Sequence, residues 1–152
     1  MSVVQAGMAV AFGMAATVED LRSRQIPNWI PVSALAAGVV WHLAVYGWRG
    51  VGASLLGAVA GFGVFLIFYL LGGMGGGDIK LMSGFGAVIG IAHILAAAYA
   101  AAICGAVLAV FVLCRRAWRR RREPSREGAG GESASIPYAP AIAAGVWLSL
   151  IA

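Results

Sequence analysis

From Leu81 to Cys114 the chain runs without a single formal charge. As one helix this stretch would be about 51 Å long, against a hydrocarbon core of about 30 Å. It therefore has to fold back on itself or end early. A break near Gly90-Ile91-Ala92-His93 resolves the conflict and gives two apolar segments, 80–91 and 94–114. Four other runs have the same character: 3–18, 29–46, 51–71 and 136–152. Only 11% of the residues are charged, less than half of the roughly 25% usual in soluble domains. The expectation is an all-α, polytopic membrane protein, a bundle of six transmembrane helices forming one domain over residues 1–152.

Charge supports the break. With it, Arg22, Arg24, Lys80 and the run from Arg115 to Arg126 share one side, and only Arg49 lies opposite. Basic residues concentrate in cytosolic loops, so the polar loops after the first, third and fifth spans are expected to face the cytosol. Residues 115–135 then form a basic, flexible cytosolic loop, and both termini lie outside the cytosol. The net charge of +5 follows from this clustering and does not indicate nucleic-acid binding. Membrane lipid is the expected surrounding. Trp29 at one end of the second span, and Trp41, Tyr46 and Trp48 near the other, fit interfacial aromatics. Gly57 and Gly61 are expected to serve close packing inside the bundle. His42 and His93 map to the far side and are expected at the interface. Cys104 and Cys114 have neither zinc-site spacing nor a convincing pairing.

The polar residues that remain are few. Asp20 closes the first span, and Asp78 sits in the glycine cluster Gly72-Gly73-Met74-Gly75-Gly76-Gly77-Asp78-Ile79-Lys80; they are the only aspartates in the chain. The topology places both on one side and at one depth. Two neighbouring carboxylates cannot both ionise cheaply, so they share a proton. One then acts as general base on water while the other polarises a carbonyl, which is the chemistry of aspartic proteolysis. Paired acids also suit a proton- or ion-coupled transporter or assembly factor, but a relay needs them near the bilayer midplane rather than at span ends. Glycine permits positive φ and close approach, so Gly75 and Gly77 are expected to shape the site. Lys80 either holds Asp78, meets a substrate carboxylate or anchors at the interface. Pro27 disfavours helix at Ile26, and Asn28 either hydrogen-bonds near the site or, the favoured reading, caps the second helix; both are expected among the site-shaping residues.

Asp20, then Ile26-Pro27-Asn28, then Gly75-Gly76-Gly77-Asp78-Ile79-Lys80, together with Ile136-Pro137-Tyr138-Ala139-Pro140, resemble the prepilin leader peptidases, membrane aspartic proteases of the GxGD type. The resemblance implies Asp20 and Asp78 as the catalytic pair. It also implies a bacterial inner-membrane location and removal of the leader from type IV or Flp prepilins at the cytosolic face. The cut would follow a glycine and precede a hydrophobic stem. Larger members carry a cysteine-containing zinc insertion after the first span and also methylate the new N-terminus. The first loop here is short and has no cysteine. The chain is therefore similar to the protease-only Flp/Tad-type branch, which implies no N-methylation and no cofactor, neither zinc nor S-adenosylmethionine.

Overall fold

The computed structural model describes residues 2–23, 25–71, 74–122 and 138–151. The described chain is all helical: α1 (Val3–Ser23), α2 (Trp29–Leu70), α3 (Gly76–Ile89), α4 (Ile91–Arg122) and α5 (Ala139–Ile151), with no strand among the described residues. Helix α2, and α4 over Ile91–Val112, are long and apolar enough to cross a membrane.

Helix α2 is not one rod. Gly47 has φ 62° and ψ −152°, outside helical values, a conformation that glycine reaches without the Cβ penalty. Beyond it the chain doubles back, so that a Cβ on Gly50 would overlap the His42 carbonyl oxygen. The two limbs, 29–46 and 48–70, clasp α3 between them. Gly38 of the first limb lies on the Ala87 backbone, and Gly57 and Gly61 of the second lie on Gly86 and Met82. The GxxxG pair thus packs within the chain, while Gly63 has nothing within 4 Å and takes no part.

Helix α3 is the core of the bundle. Ten of its fourteen residues are buried, including Leu81, Met82, Phe85 and Val88 at 0% exposure. Helix α1 runs antiparallel to it: Gln5 bonds the Val88 carbonyl at one end, and Asp20 lies near Asp78 at the other. Helix α5 packs on α1 through Trp147 against Gly13, and on α4 through Gly145 against Ala101.

Several boundaries differ from the sequence reading. Helix α1 continues to Ser23 rather than ending at Val18, and α3 begins at Gly76, before Asp78 rather than after it. The junction between α3 and α4 is the single residue Gly90, with φ 75°. Helix α4 does not stop at Cys114 but reaches Arg122. Arginine is a good helix former, so the helix outlasts the apolar sequence and takes in the first part of the supposed loop. The expected start of the last segment at Ile136, with Pro137, lies outside the described residues. His42 is also not interfacial; it is 4% exposed.

The glycine contacts give a direct test. A side chain at Gly57 or Gly86 meets backbone, which no rotamer change can relieve. Gly86→Ala and Gly57→Ala are expected to destabilise by about 3 kcal/mol or more, read as a fall in thermal midpoint in detergent. Gly63→Ala changes stability by no more than about 0.5 kcal/mol.

Candidate active site

One helix end and two helix starts build the site. Gly75 is the N-cap of α3, in extended conformation (φ −84°, ψ 155°). Having no side chain, it makes only half of a capping box. Its own N–H donates to Asp78 Oδ2 at 3.0 Å, while the Asp78 N–H donates to the Gly75 carbonyl at 3.1 Å. Asp78 therefore stands at N3 of α3, where a negative charge is favoured by the helix dipole.

Asp20 has the opposite local problem. It lies in the last turn of α1, where carbonyl groups make negative charge unfavourable. Relief comes from 119 residues away: the Ala139 N–H, the first of α5, donates to Asp20 Oδ2 at 3.0 Å. Asp20 thus caps the start of α5. Each carboxyl is held through one oxygen by a helix-start amide. Both are buried, at 5% and 6% exposure.

The two acids lie beyond the ends of the apolar segments 3–18 and 80–91. Burial, opposed by the Gly75 amide, pushes the Asp78 carboxyl up from the ordinary 3.8 to about 6, with the nearby Asp20 charge adding to the rise. Burial also raises Asp20, opposed by the Ala139 amide. The pair is thus close enough for one charge to act on the other, and it favours holding a proton. Among the described residues, no three His, Cys, Asp or Glu side chains come together as a metal centre needs.

The surrounding residues occupy roles that differ in part from expectation. Asn28 does not cap α2. Its own dihedrals are helical (φ −59°, ψ −22°), and it makes no side-chain cap bond. Instead, Asn28 Oδ1 accepts from Lys80 Nζ at 2.9 Å. Lys80 thereby engages the first loop rather than Asp78. Ile26, just before Pro27, lies over the first turn of α3, with its Cβ 3.2 Å from where a Cβ on Gly77 would be. Gly77 therefore makes room for Ile26, and Gly75 would tolerate a Cβ at 3.5 Å from Asp78 Oδ2. Positive φ is not used at either; among the described residues the glycines that use it are Gly47 and Gly90. Gly72 and Gly73 of the cluster lie outside the described residues. The glycine that faces open space is Gly76, with nothing within 4 Å; sequence reasoning did not single it out. Nor did it single out Met74 and Tyr138, which approach Gly105 of α4 at 3.8 and 3.7 Å from where its Cβ would be. The proline-flanked Tyr138-Ala139 was the available signal, but the decisive Ala139 group is a backbone amide.

Comparison with known proteins agrees with this geometry. Residues 8–110, which include both aspartates, match the model of the type IV leader peptidase family. The chain is 38% identical over 102 residues to the prepilin leader peptidase/N-methyltransferase of Bacillus subtilis (strain 168), an alignment covering 65% of this chain and 36% of that protein. The chain thus matches little more than a third of that relative's length. No solved structure matches.

The raised carboxyl carries a stability consequence. An acid that binds its proton more tightly when folded than unfolded contributes stability that is full below about pH 4 and is lost as pH rises through about 6. Asp78→Asn keeps an acceptor for the Gly75 amide without the buried charge. Its thermal midpoint at about pH 7.5 is expected to exceed that of the native chain, by on the order of 2 kcal/mol, with the gain fading toward pH 4. A lower midpoint at neutral pH would show Asp78 to be a structural anion.

Proposed function

Because this chain belongs to the type IV leader peptidase family, we propose that it is an aspartic endopeptidase that removes the leader of type IV or Flp prepilins. The observation that carries the proposal is the convergence of two buried carboxyls, each tied by one oxygen to a helix-start amide. The proton is assigned to Asp78 below about pH 6, where burial and the Asp20 charge both favour it. Asp20 takes a proton from water, and the resulting hydroxide attacks the scissile carbonyl carbon. Asp78 gives its proton to the carbonyl oxygen. Collapse of the tetrahedral intermediate breaks the C–N bond, with the proton gained by Asp20 passing to the leaving amine and one hydroxyl proton of the intermediate returning to Asp78 as the new carboxyl forms.

The remaining features fit this reading. Gly75 and Gly76 are exposed at the start of α3, so the approach to that turn carries no side chain that would obstruct a peptide. Lys80, Asn28 and Pro27 shape the site by holding the first loop against α3. Gly77 admits Ile26 beneath that loop. The loop between Ser23 and Trp29 contains no cysteine, which supports cleavage without N-methylation and without zinc or S-adenosylmethionine. Counting the limbs of α2 separately, the helical segments number six among the described residues. We read the apolar part of each as a span of the bacterial inner membrane, six in all, with the aspartates just beyond the spans toward the cytosol and both ends of this chain toward the periplasm. The acids lie in the last turn of α1 and the first turn of α3, at helix ends, where a bilayer-crossing relay would not put them.

Co-expression with a prepilin tests the proposal. The native chain yields the smaller, mature pilin on a gel, while Asp20→Asn and Asp78→Asn each lose about 10²–10⁴-fold or more of the rate. Mature pilin formed at the native rate by either variant would overturn the assignment.

The pH profile is a second test. The pair needs one proton, so kcat/KM falls as pH drops through the lower pKa and again as it rises through the upper one. The alkaline limb is expected at about 6, the Asp78 value without substrate, because kcat/KM reports the free enzyme. A rate flat from about pH 5 to 9 would count against a shared proton.

A further inference from the structure

At the end of the bundle remote from the aspartates, a cleft of about 360 Å³ opens between α1, the elbow of α2 and the α3–α4 junction. Its polar lining is Gln5, His42, Tyr46, Arg49 and His93. Gln5 and Asp20 are separated by about 22 Å along α1. The cleft is lined by Gly90 and by Tyr46, Arg49 and Gly50 on either side of Gly47, the two positive-φ glycines among the described residues, so an occupant would sit beside both places where the helices change direction.

The floor is polar but satisfied. Gln5 and His42 are each 4% exposed. His42 Nδ1 lies 2.9 Å from the Gly38 carbonyl, which can only accept, so the proton is assigned to Nδ1. His42 Nε2 then accepts from Gln5 Nε2 at 3.4 Å, and Gln5 also donates to the Val88 carbonyl at 3.1 Å. The ring edge rests on Gly90, which gives His42 a structural task.

The rim is different. Arg49 and His93 are exposed, and their side chains have no hydrogen-bond or ion-pair partner among the described residues. Tyr46 stands beside them, 57% exposed, and α4 begins at the wall, adding the positive end of a 32-residue helix. No carboxylate lines the cleft. The acids among the described residues, Glu19, Asp20 and Asp78, are all at the other end. The rim therefore offers donors and one uncompensated positive charge, the chemistry that receives an oxyanion.

We infer that this cleft binds the phosphodiester of an anionic phospholipid headgroup, with Arg49 and His93 donating to its oxygens. A lipid is favoured over free phosphate by the surroundings. Trp48, 83% exposed, and Tyr46 mark the depth where amphipathic rings meet headgroups. The exposed Val40 and Leu43 continue an apolar surface down the same limb for the acyl chains. The inference rests on the bundle crossing the bilayer as proposed above, but not on peptidase activity.

The test uses the full purified chain in a neutral detergent. Phosphatidylglycerol, phosphatidylcholine and inorganic phosphate are titrated separately, reading thermal midpoint and retained lipid by native mass spectrometry. Phosphatidylglycerol is expected to raise the midpoint and remain bound. Arg49→Gln and His93→Gln each weaken it by about tenfold or more, equivalent to about 1.4 kcal/mol, while Arg115→Gln with Arg116→Gln leaves it unchanged. An equal shift from inorganic phosphate would overturn the lipid assignment. So would an equal shift from phosphatidylcholine, or a phosphatidylglycerol shift that survives Arg49→Gln and His93→Gln together. Prepilin cleavage is scored separately on the same preparations, so a failure of catalysis leaves the lipid result standing.

Discussion

The contact on which the site depends is backbone against backbone. Gly57 and Gly86 bring the returning limb of α2 onto α3 so closely that neither tolerates a Cβ, and Gly38 does the same from the other limb. Such contacts leave α3 little freedom to slide or rotate, because interlocked backbones have no rotamers to absorb a shift. Asp78 is in the first turn of that clasped helix, so its depth and direction follow from packing some 12 Å away. A carboxyl at the start of so buried a helix is held in place by that packing.

The electrostatics follow from which helix ends meet. Asp78 is at the favourable end of its own helix; Asp20 is at the unfavourable end of α1 and is made tolerable by the start of α5. Burial raises both carboxyls, and a single amide to each restrains the rise. The balance leaves Asp78 titrating at about 6, within a range where it can be protonated or ionised. The same arrangement links α1, α3 and α5 at one point, where Asp20 seats the start of the last helix.

The far end follows a different plan. There the buried polar groups, Gln5 and His42, are spent on each other and on backbone carbonyls, and they secure the junction at Gly90. The charge at that end is at the rim, in Arg49. The bundle thus separates a carboxylate-bearing end from a donor-bearing end, in keeping with two different aqueous faces.

What the sequence determined by itself was the class and the cast: runs of apolar residues too long for a soluble core, a necessary break near Gly90, and two aspartates at the edges of those runs. These are one-dimensional properties, because the cost of placing charge in hydrocarbon is paid residue by residue. The end of α4 was misread, since helix propensity continues through arginines after hydrophobicity stops. His42 and Asn28 were misread because burial and partner choice depend on which helix lies alongside. Only the tertiary structure decided that Ala139 holds Asp20, that Lys80 reaches Asn28, and that Gly76 rather than its neighbours faces open space. A backbone amide, a long flexible side chain and an empty volume leave no mark in a residue pattern, because each is defined by what arrives from elsewhere in the chain.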